Sequence, residues 1–328
     1  MEAKAVIIRG QGDVDVLEVG TLRLREPGPH EVLVEVATAG LNRADLLQRA
    51  GFYPAPPGVP ADVPGLEYSG RVHTVGSEVT LYQVGDPVMG IVGGGAMASH
   101  LLAHESEVLP VPKGMSLEEA GAIPEVFLTA YDALLLQGSL SLGQVVLIHA
   151  VGSGVGTAAV QLAKATGAIT VGTTRTADKL DRCKDLGLDH GLCVTDQTFY
   201  KALLAATGGR YANLILDTVG AAYLKENLKA VSPLGKIVII GLLGGANGEL
   251  PLGLLLGKRA QMLGTILRAR SLGEKAQLNK AFQRDVLPLF ARGQLKPIID
   301  RVMSANEIQE AHRYMSSNGP MGKVLIKF

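Results

Sequence analysis

The run Val145-Val-Leu-Ile-His149 passes without a spacer into Ala150-Val-Gly-Ser-Gly-Val-Gly156 and then into the helix-forming Thr157-Ala-Ala-Val-Gln-Leu-Ala-Lys164. An apolar strand, a glycine turn and a helix in that order read as the start of a βαβ unit, which commits the chain to a parallel sheet. Glycines at such a junction let backbone N–H groups approach a pyrophosphate at the helix N-terminus, where the helix dipole favours negative charge. No register of the segment places glycines at all three positions of GxGxxG, so the signal rests on its context of strand, turn, helix and second strand. The competing reading is a glycine turn that merely packs helix on strand.

Strand and helix keep alternating after this unit. Strands are expected at Ile169 to Thr174, Leu192 to Val194, Leu214 to Leu216, Ile237 to Ile240 and Met262 to Ile266, with helical patterns between them. The fold class is therefore α/β, with a doubly wound parallel sheet. The first third has a different texture: short strands at Lys4 to Arg9, Val32 to Ala39, Gly70 to Val75 and Asp86 to Ile91, each bounded by Gly or Pro. That predicts an irregular β domain. Beyond Met262 to Ile266 a long helix, roughly Glu274 to Leu289, leads to a strand, a helix and a strand ending at Phe328. Ser304 and Glu307 form a capping box for that last helix. At 328 residues two domains are expected. The tail is assigned to the first, giving 1–122 with 268–328 around an inserted 123–267.

Composition removes several functions. Lys plus Arg equals Asp plus Glu at 31 each, and no block of like charge occurs, so neither nucleic acid nor an anionic membrane surface is an expected partner. Aromatics are 4% with no Trp, too few for base-stacking platforms. Cys183 and Cys193 are the only cysteines; they build neither a tetrathiolate zinc lobe nor a CxxC pair, and they suit a reducing, cytoplasmic compartment. The first residues hold an apolar core of only Val6 to Ile8, far short of a secretory h-region. Ile237 to Gly257 is nearly long enough to span a bilayer, but its six glycines, Pro251 and Asn247 favour strand, loop and short helix over insertion.

About twenty residues beyond Gly156, where an NAD enzyme places an acid on the ribose 2′-hydroxyl, the chain carries Thr174, Arg175 and, one helical turn on, Lys179. Arg175 can grip a 2′-phosphate with its fork and Lys179 can add a point charge, so NADPH is preferred over NADH. The alternative is a solvated helix start with Thr176 as N-cap and Asp178 in the first turn. His149, inside an apolar strand, reads as a satisfied core histidine.

Gly40-Leu-Asn-Arg-Ala-Asp-Leu-Leu-Gln-Arg-Ala-Gly-Phe-Tyr53, Pro64-Gly-Leu-Glu-Tyr-Ser-Gly70 and Gly85-Asp86 are similar to the quinone oxidoreductase branch of the medium-chain dehydrogenase/reductases. So are Ile123-Pro-Glu-Val-Phe-Leu-Thr-Ala-Tyr131, the turn up to Gly156 and Gly241-Leu-Leu-Gly-Gly245. The resemblance covers essentially the whole chain. It implies a Rossmann domain inserted into a GroES-like β domain, and NADPH bound by Thr129, Ser153, Gly154, Val155, Gly156, Thr174, Arg175, Lys179 and the backbone of Gly241, Leu242 and Leu243. It further implies a cleft lined by Asn42, Asp45 and Tyr53, with Asn42 and Tyr53 donating hydrogen bonds to the acceptor oxygen and Tyr53 able to pass a proton.

Each of these has a plain structural alternative: Asn42 as N-cap, Asp45 as a first-turn acid, Tyr53 as a loop aromatic. Zinc alcohol dehydrogenases of the same superfamily hold the metal with Cys, His and Cys, at positions where this chain has Asn42, Leu66 and a residue near Glu125. The resemblance thus implies no metal site and hydride transfer to a quinone. The rival enzyme is an NADPH-dependent alkene or 2-enoyl (enone) reductase; the rival from another class is a nucleotide-binding protein with little turnover. Relatives pair through the last strand of the nucleotide domain, so a homodimer through Met262 to Ile266 is expected.

Overall fold

The structure is a computed structural model that describes residues 1–317 and 319–328. The chain divides into two compact units, Met1–Leu128 with Leu267–Phe328, and Thr129–Ile266.

The first unit opens with an antiparallel pair, β1 (Glu2–Ile8) and β2 (Leu17–Arg23). It continues through β3 (Glu31–Leu41), β4 (Glu67–Val75), β5 (Pro87–Ile91), β6 (His100–His104) and β7 (Val108–Pro110). The second unit holds β8 (Val145–Ile148), β9 (Ile169–Thr174), β10 (His190–Cys193), β11 (Ala212–Asp217), β12 (Val231–Ile239) and β13 (Gln261–Gly264). The tail returns to the first unit with β14 (Ile299–Ser304) and β15 (Lys323–Lys327).

The second unit's sheet runs β10-β9-β8-β11-β12-β13 with every pair parallel. Numbered within the unit this is the order 3-2-1-4-5-6 of a doubly wound nucleotide-binding sheet, whose direction of growth reverses beside β8. All four residues of β8 are buried, as a strand covered on both faces requires. The core gathers Val145, Leu147, Val171, Phe199, Ile215 and Ile237. The stretch from Ile237 to Gly257 is strand, loop and the short helix Leu252–Lys258, and among the described residues no helix is long and apolar enough to cross a membrane.

In the first unit β14-β15-β3-β4-β5-β7 form one sheet, with β6 also on β3. Tail strand β15 pairs antiparallel with β3, placing Val324 opposite Leu41. Lys323 thereby arrives at the start of the helix Arg43–Arg49. Strands β2, β6 and β7 were not expected from the sequence. The expected helix from Glu274 to Leu289 is two helices, Leu272–Asp285 and Leu287–Ala291. Pro288 is the reason: it lacks the N–H that would continue the ladder, and the break falls at Val286. Ser271 and Glu274 close a capping box at the first helix's start.

Candidate active site

In the second unit the turn after β8 brings Ala150 to φ +49°, in the left-handed region that L-residues seldom occupy. Ser153 is the N-cap of the helix Gly154–Ala165 and its hydroxyl accepts the Gly156 N–H at 3.0 Å. A Cβ on Gly156 would stand 2.5 Å from the carbonyl oxygens of Ala150 and Val151, so only glycine lets the helix start this close to the strand. At Gly152 the space of a missing side chain is taken by the Lys179 stem, 2.9 Å from where a Cβ would sit. A helix of twelve residues, begun at a glycine turn on the switch-point strand, offers its first-turn amides to an anion. The residues therefore fit a dinucleotide pyrophosphate.

Thr174 ends β9, Arg175 is exposed and Lys179 half-buried. Thr176 is the N-cap of the helix Ala177–Lys184 but its side chain makes no capping bond. No acid stands at the strand end, so the local charge suits a 2′-phosphate. Thr129 lies half-buried on the helix Pro124–Tyr131. Gly241 follows β12, while Leu242 and Leu243 are 55% and 54% exposed. The Leu243 N–H donates to Thr218 O at 3.2 Å and the Gly244 N–H to Val219 O at 2.7 Å, fixing that loop on the one after β11.

His149 ties the ends of these strands together. Its Nδ1 is 2.9 Å from Thr173 Oγ1 and its Nε2 2.7 Å from Asn227 Oδ1. Asn227 Nδ2 donates to Asp217 Oδ2 at 2.9 Å, and Asp217 Oδ1 accepts the N–H groups of Val219 and Gly220. Because the Asn227 oxygen can only accept, His149 carries a proton on Nε2. Burial holds its pKa below the usual imidazole value, in keeping with a core histidine.

In the first unit Asn42 precedes the helix Arg43–Arg49 in extended conformation, as its N-cap residue. Its Nδ2 donates to Gly40 O at 3.1 Å and to Glu67 Oε1 at 2.9 Å, and its Oδ1 accepts from Lys323 Nζ at 2.6 Å. Lys323 also donates to Leu41 O at 2.9 Å and meets Glu67 Oε1 at 2.6 Å. Asp45 accepts the Asn42 N–H at 2.8 Å and the Gly65 N–H at 2.8 Å. Glu67 Oε2 accepts the Glu125 N–H at 2.8 Å. Gly40 has to be glycine here, because a Cβ would collide with the Glu67 carboxylate.

Arg268 closes the other side. Its Nε donates to Gly93 O, one terminal nitrogen to Tyr53 O and the other to Gln48 Oε1, while the guanidinium lies 4.9 Å from the Tyr53 ring centroid. Burial raises Asp45 to about 6, against the two N–H bonds that favour its anion. Burial, reinforced by Glu67, pushes Glu125 up to about 8. Tyr53 is raised by burial.

The structure thus draws Asn42 and Asp45 into one network. It sets Tyr53 beside that network through Arg268. Both amide hydrogens of Asn42 and both oxygens of Asp45 are engaged inside the protein, so neither presents a free donor, and of the three expected residues Tyr53 keeps its hydroxyl uncommitted among the described residues. Sequence reading missed Lys323 and Arg268. Lone cations at the edges of a strand and a loop carry no local signal; pairing of β15 with β3 is what delivers Lys323. Leu66 is buried and apolar, and no group of three His, Cys, Asp or Glu able to hold a metal occurs among the described residues.

Residues 154–290 match the zinc-binding dehydrogenase family and residues 28–113 the alcohol dehydrogenase GroES-like domain. A quinone oxidoreductase of Pseudomonas aeruginosa is 30% identical over 99% of both chains. The solved Escherichia coli quinone oxidoreductase, complexed with NADPH, superposes with a TM-score of 0.87 at 25% identity, covering 99% of this chain and all of that one. The CurK enoyl reductase superposes with a TM-score of 0.86 at 28% identity, covering 99% of both. A GroES-like unit interrupted in sequence by a unit with a doubly wound sheet and this turn, together with these relatives, makes the chain a member of the medium-chain dehydrogenase/reductase superfamily, an α/β oxidoreductase. Within it the chain belongs to the quinone oxidoreductase branch.

Proposed function

We propose that the protein is an NADPH:quinone reductase that works without a metal. The observation that carries this reading is the state of Asn42. It stands where the resemblance puts a cysteine ligand, and its amide is locked between Glu67 and Lys323. With Leu66 at the histidine position, the donor set suits no zinc ion. Lacking a Lewis acid to lower the pKa of an alcohol, the site favours acceptors that need little activation.

Bound NADPH would supply hydride. The turn Ser153 to Gly156 would hold its pyrophosphate, Thr174, Arg175 and Lys179 its 2′-phosphate, and Thr129 with the Gly241–Leu243 backbone its nicotinamide. In the first unit Tyr53 would donate a hydrogen bond to the acceptor oxygen as charge grows on it. Asn42 and Asp45 would keep the wall around Tyr53 in place, Asp45 by clamping Gly65 and Asn42 by holding Glu67. Strand β13 lies at the sheet edge, Ile266 just beyond it is 55% exposed, and Leu252 and Leu256 on the helix Leu252–Lys258 that precedes it are 67% and 79% exposed, which supports a homodimer that covers the edge.

A likeness to an enoyl reductase favours a second reading, reduction of conjugated enones by the same hydride. A panel of quinones and enones with NADPH decides: quinones are expected to give the higher kcat/KM. Turnover of enones alone would replace the first reading with the second, and no turnover of either would leave a nucleotide-binding protein.

A further inference from the structure

The polar groups around Asn42 are nearly all spent on one another. Lys323 Nζ serves Leu41 O, Asn42 Oδ1 and Glu67 Oε1, which is its full complement of three donors. Glu67 accepts from Asn42, Lys323 and the Glu125 N–H. Asp45 accepts two N–H groups, and Arg268 donates from all three nitrogens. Two polar ends remain with no hydrogen-bond partner among the described residues: the Tyr53 hydroxyl and the Glu125 carboxyl. Both hang on the frame around the helix Arg43–Arg49: Glu125 through its N–H on Glu67, which holds Asn42, and Tyr53 through Arg268, which holds Gln48. Glu125 is also partly accessible, at the first turn of the helix Pro124–Tyr131, with its backbone anchored on Glu67.

We propose that Glu125 is the proton donor that completes reduction of the acceptor, while the Tyr53 hydroxyl holds the acceptor oxygen. This rests on the reductase reading above. Hydride brings the acceptor two electrons and one hydrogen, leaving it a hydroquinone monoanion (or, for an enone, an enolate). The Glu125 O–H bond then breaks and its proton passes to the acceptor oxygen, or to the α-carbon of the enolate. The product is neutral and the carboxylate regains a proton from water.

Chemistry at neutral pH needs an acid that is protonated yet not too weak. The groups that face Glu125 set this balance. Glu67 from β4 and Asp45 from the helix Arg43–Arg49 raise its pKa; Lys323 from β15 and Arg268 lower it; burial outweighs them all and holds it at about 8. Tyr53, raised above an already high value, is the weaker acid of the two.

Three measurements test the assignment. In wild-type protein without cofactor, infrared difference titration should show a protonated carboxyl band that disappears as pH rises through about 8 and is absent from Glu125→Gln. For the wild type, quinone-dependent kcat/KM should fall over the same range and show a solvent isotope effect. Glu125→Gln, checked by melting temperature and NADPH affinity, should lose at least about tenfold in kcat/KM at pH 6.5 together with the alkaline limb. A wild type that reduces quinones with a flat profile to pH 9 overturns the role of Glu125 and leaves the reductase reading standing. So does Glu125→Gln at wild-type efficiency. A wild type that reduces neither quinones nor enones overturns both. The wild-type profile decides even if the variant does not fold, and Glu125→Asp then serves to assign the infrared band.

Discussion

Lys323 Nζ lies 2.6 Å from Glu67 Oε1, and the two side chains are 3% and 0% exposed. Two charges this deep are costly to desolvate, and the cost is met only because each is also hydrogen-bonded to Asn42, with Lys323 on Leu41 O and Glu67 on the Glu125 N–H. The pair spans 256 residues of sequence, from 67 to 323, and clips the C-terminal strand to the N-terminal sheet.

Removing one partner should therefore strand the other. Lys323→Met is expected to cost about 3–5 kcal/mol of stability. Lys323→Met with Glu67→Gln should cost less than the sum of the single changes. Denaturant unfolding of the four proteins measures it; additive losses would mean that the pair is not coupled.

Arg175→Ala should weaken NADPH by about 1.5–3 kcal/mol, roughly ten- to a hundredfold, and hardly touch NADH. Lys179→Ala should act in the same direction and less strongly, because an ammonium offers a point charge where Arg175 offers a fork. Titration of both cofactors into each variant checks this. Equal losses for NADH and NADPH would assign the two cations to folding.

Gly156→Ala forces a methyl group onto two carbonyl oxygens at the turn. The helix start has to shift, at a cost of about 1–3 kcal/mol, and nucleotide affinity should fall with it. Unchanged nucleotide affinity and melting temperature would show that the turn is looser than the structure has it.

His312, on the helix Ile308–Ser316, is fully buried with no hydrogen-bond partner for either ring nitrogen among the described residues. Burial, with Arg49 as a smaller cause, brings its pKa down from 6.5 to about 3. The unfolded chain thus binds a proton that the folded one refuses between those values. Its contribution to stability is whole above about pH 6.5 and is lost as pH falls toward 3, by at most about 5 kcal/mol. His312→Leu should melt no lower than wild type at pH 7.5 and higher than wild type at pH 5. A parallel fall of both proteins with pH would acquit His312.

The doubly wound sheet was legible because its signals are local: the apolar run at Val145, the glycines up to Gly156 and the alternation that follows each occupy a short window. The cation-bearing strand end at Thr174 and Arg175 was legible for the same reason, as was the core role of His149. The network around Asn42 was only half legible. Asn42 and Asp45 belong to a motif, whereas Lys323 and Arg268 reach it from far along the chain through strand pairing and packing. That both amide hydrogens of Asn42 are taken, by Gly40 O and Glu67 Oε1, follows from how β4 lies against the start of the helix Arg43–Arg49 and leaves no mark in the sequence. Strands β6 and β7 escaped because they are five and three residues long and carry no alternation marked enough to separate them from turns.

Tyr53→Phe isolates the hydroxyl expected to hold the acceptor. It should lower quinone kcat/KM by about 2.7 kcal/mol or less, since a quinone accepts hydride readily, while NADPH affinity stays the same. Asn42→Ala should lower it too, through release of Glu67 and Lys323, and should also lower the melting temperature. If both variants reduce quinones at wild-type efficiency, the acceptor lies elsewhere.

Metal-free hydride transfer from NADPH to a quinone can be watched in a single turnover. Chelator-treated protein loaded with NADPH, or with NADPH deuterated at the transferring position, is mixed with a quinone while nicotinamide absorbance is followed. Rapid oxidation that is slower with deuterium and indifferent to the chelator is expected. Oxidation that appears only when zinc is restored, or none with any quinone, would contradict it.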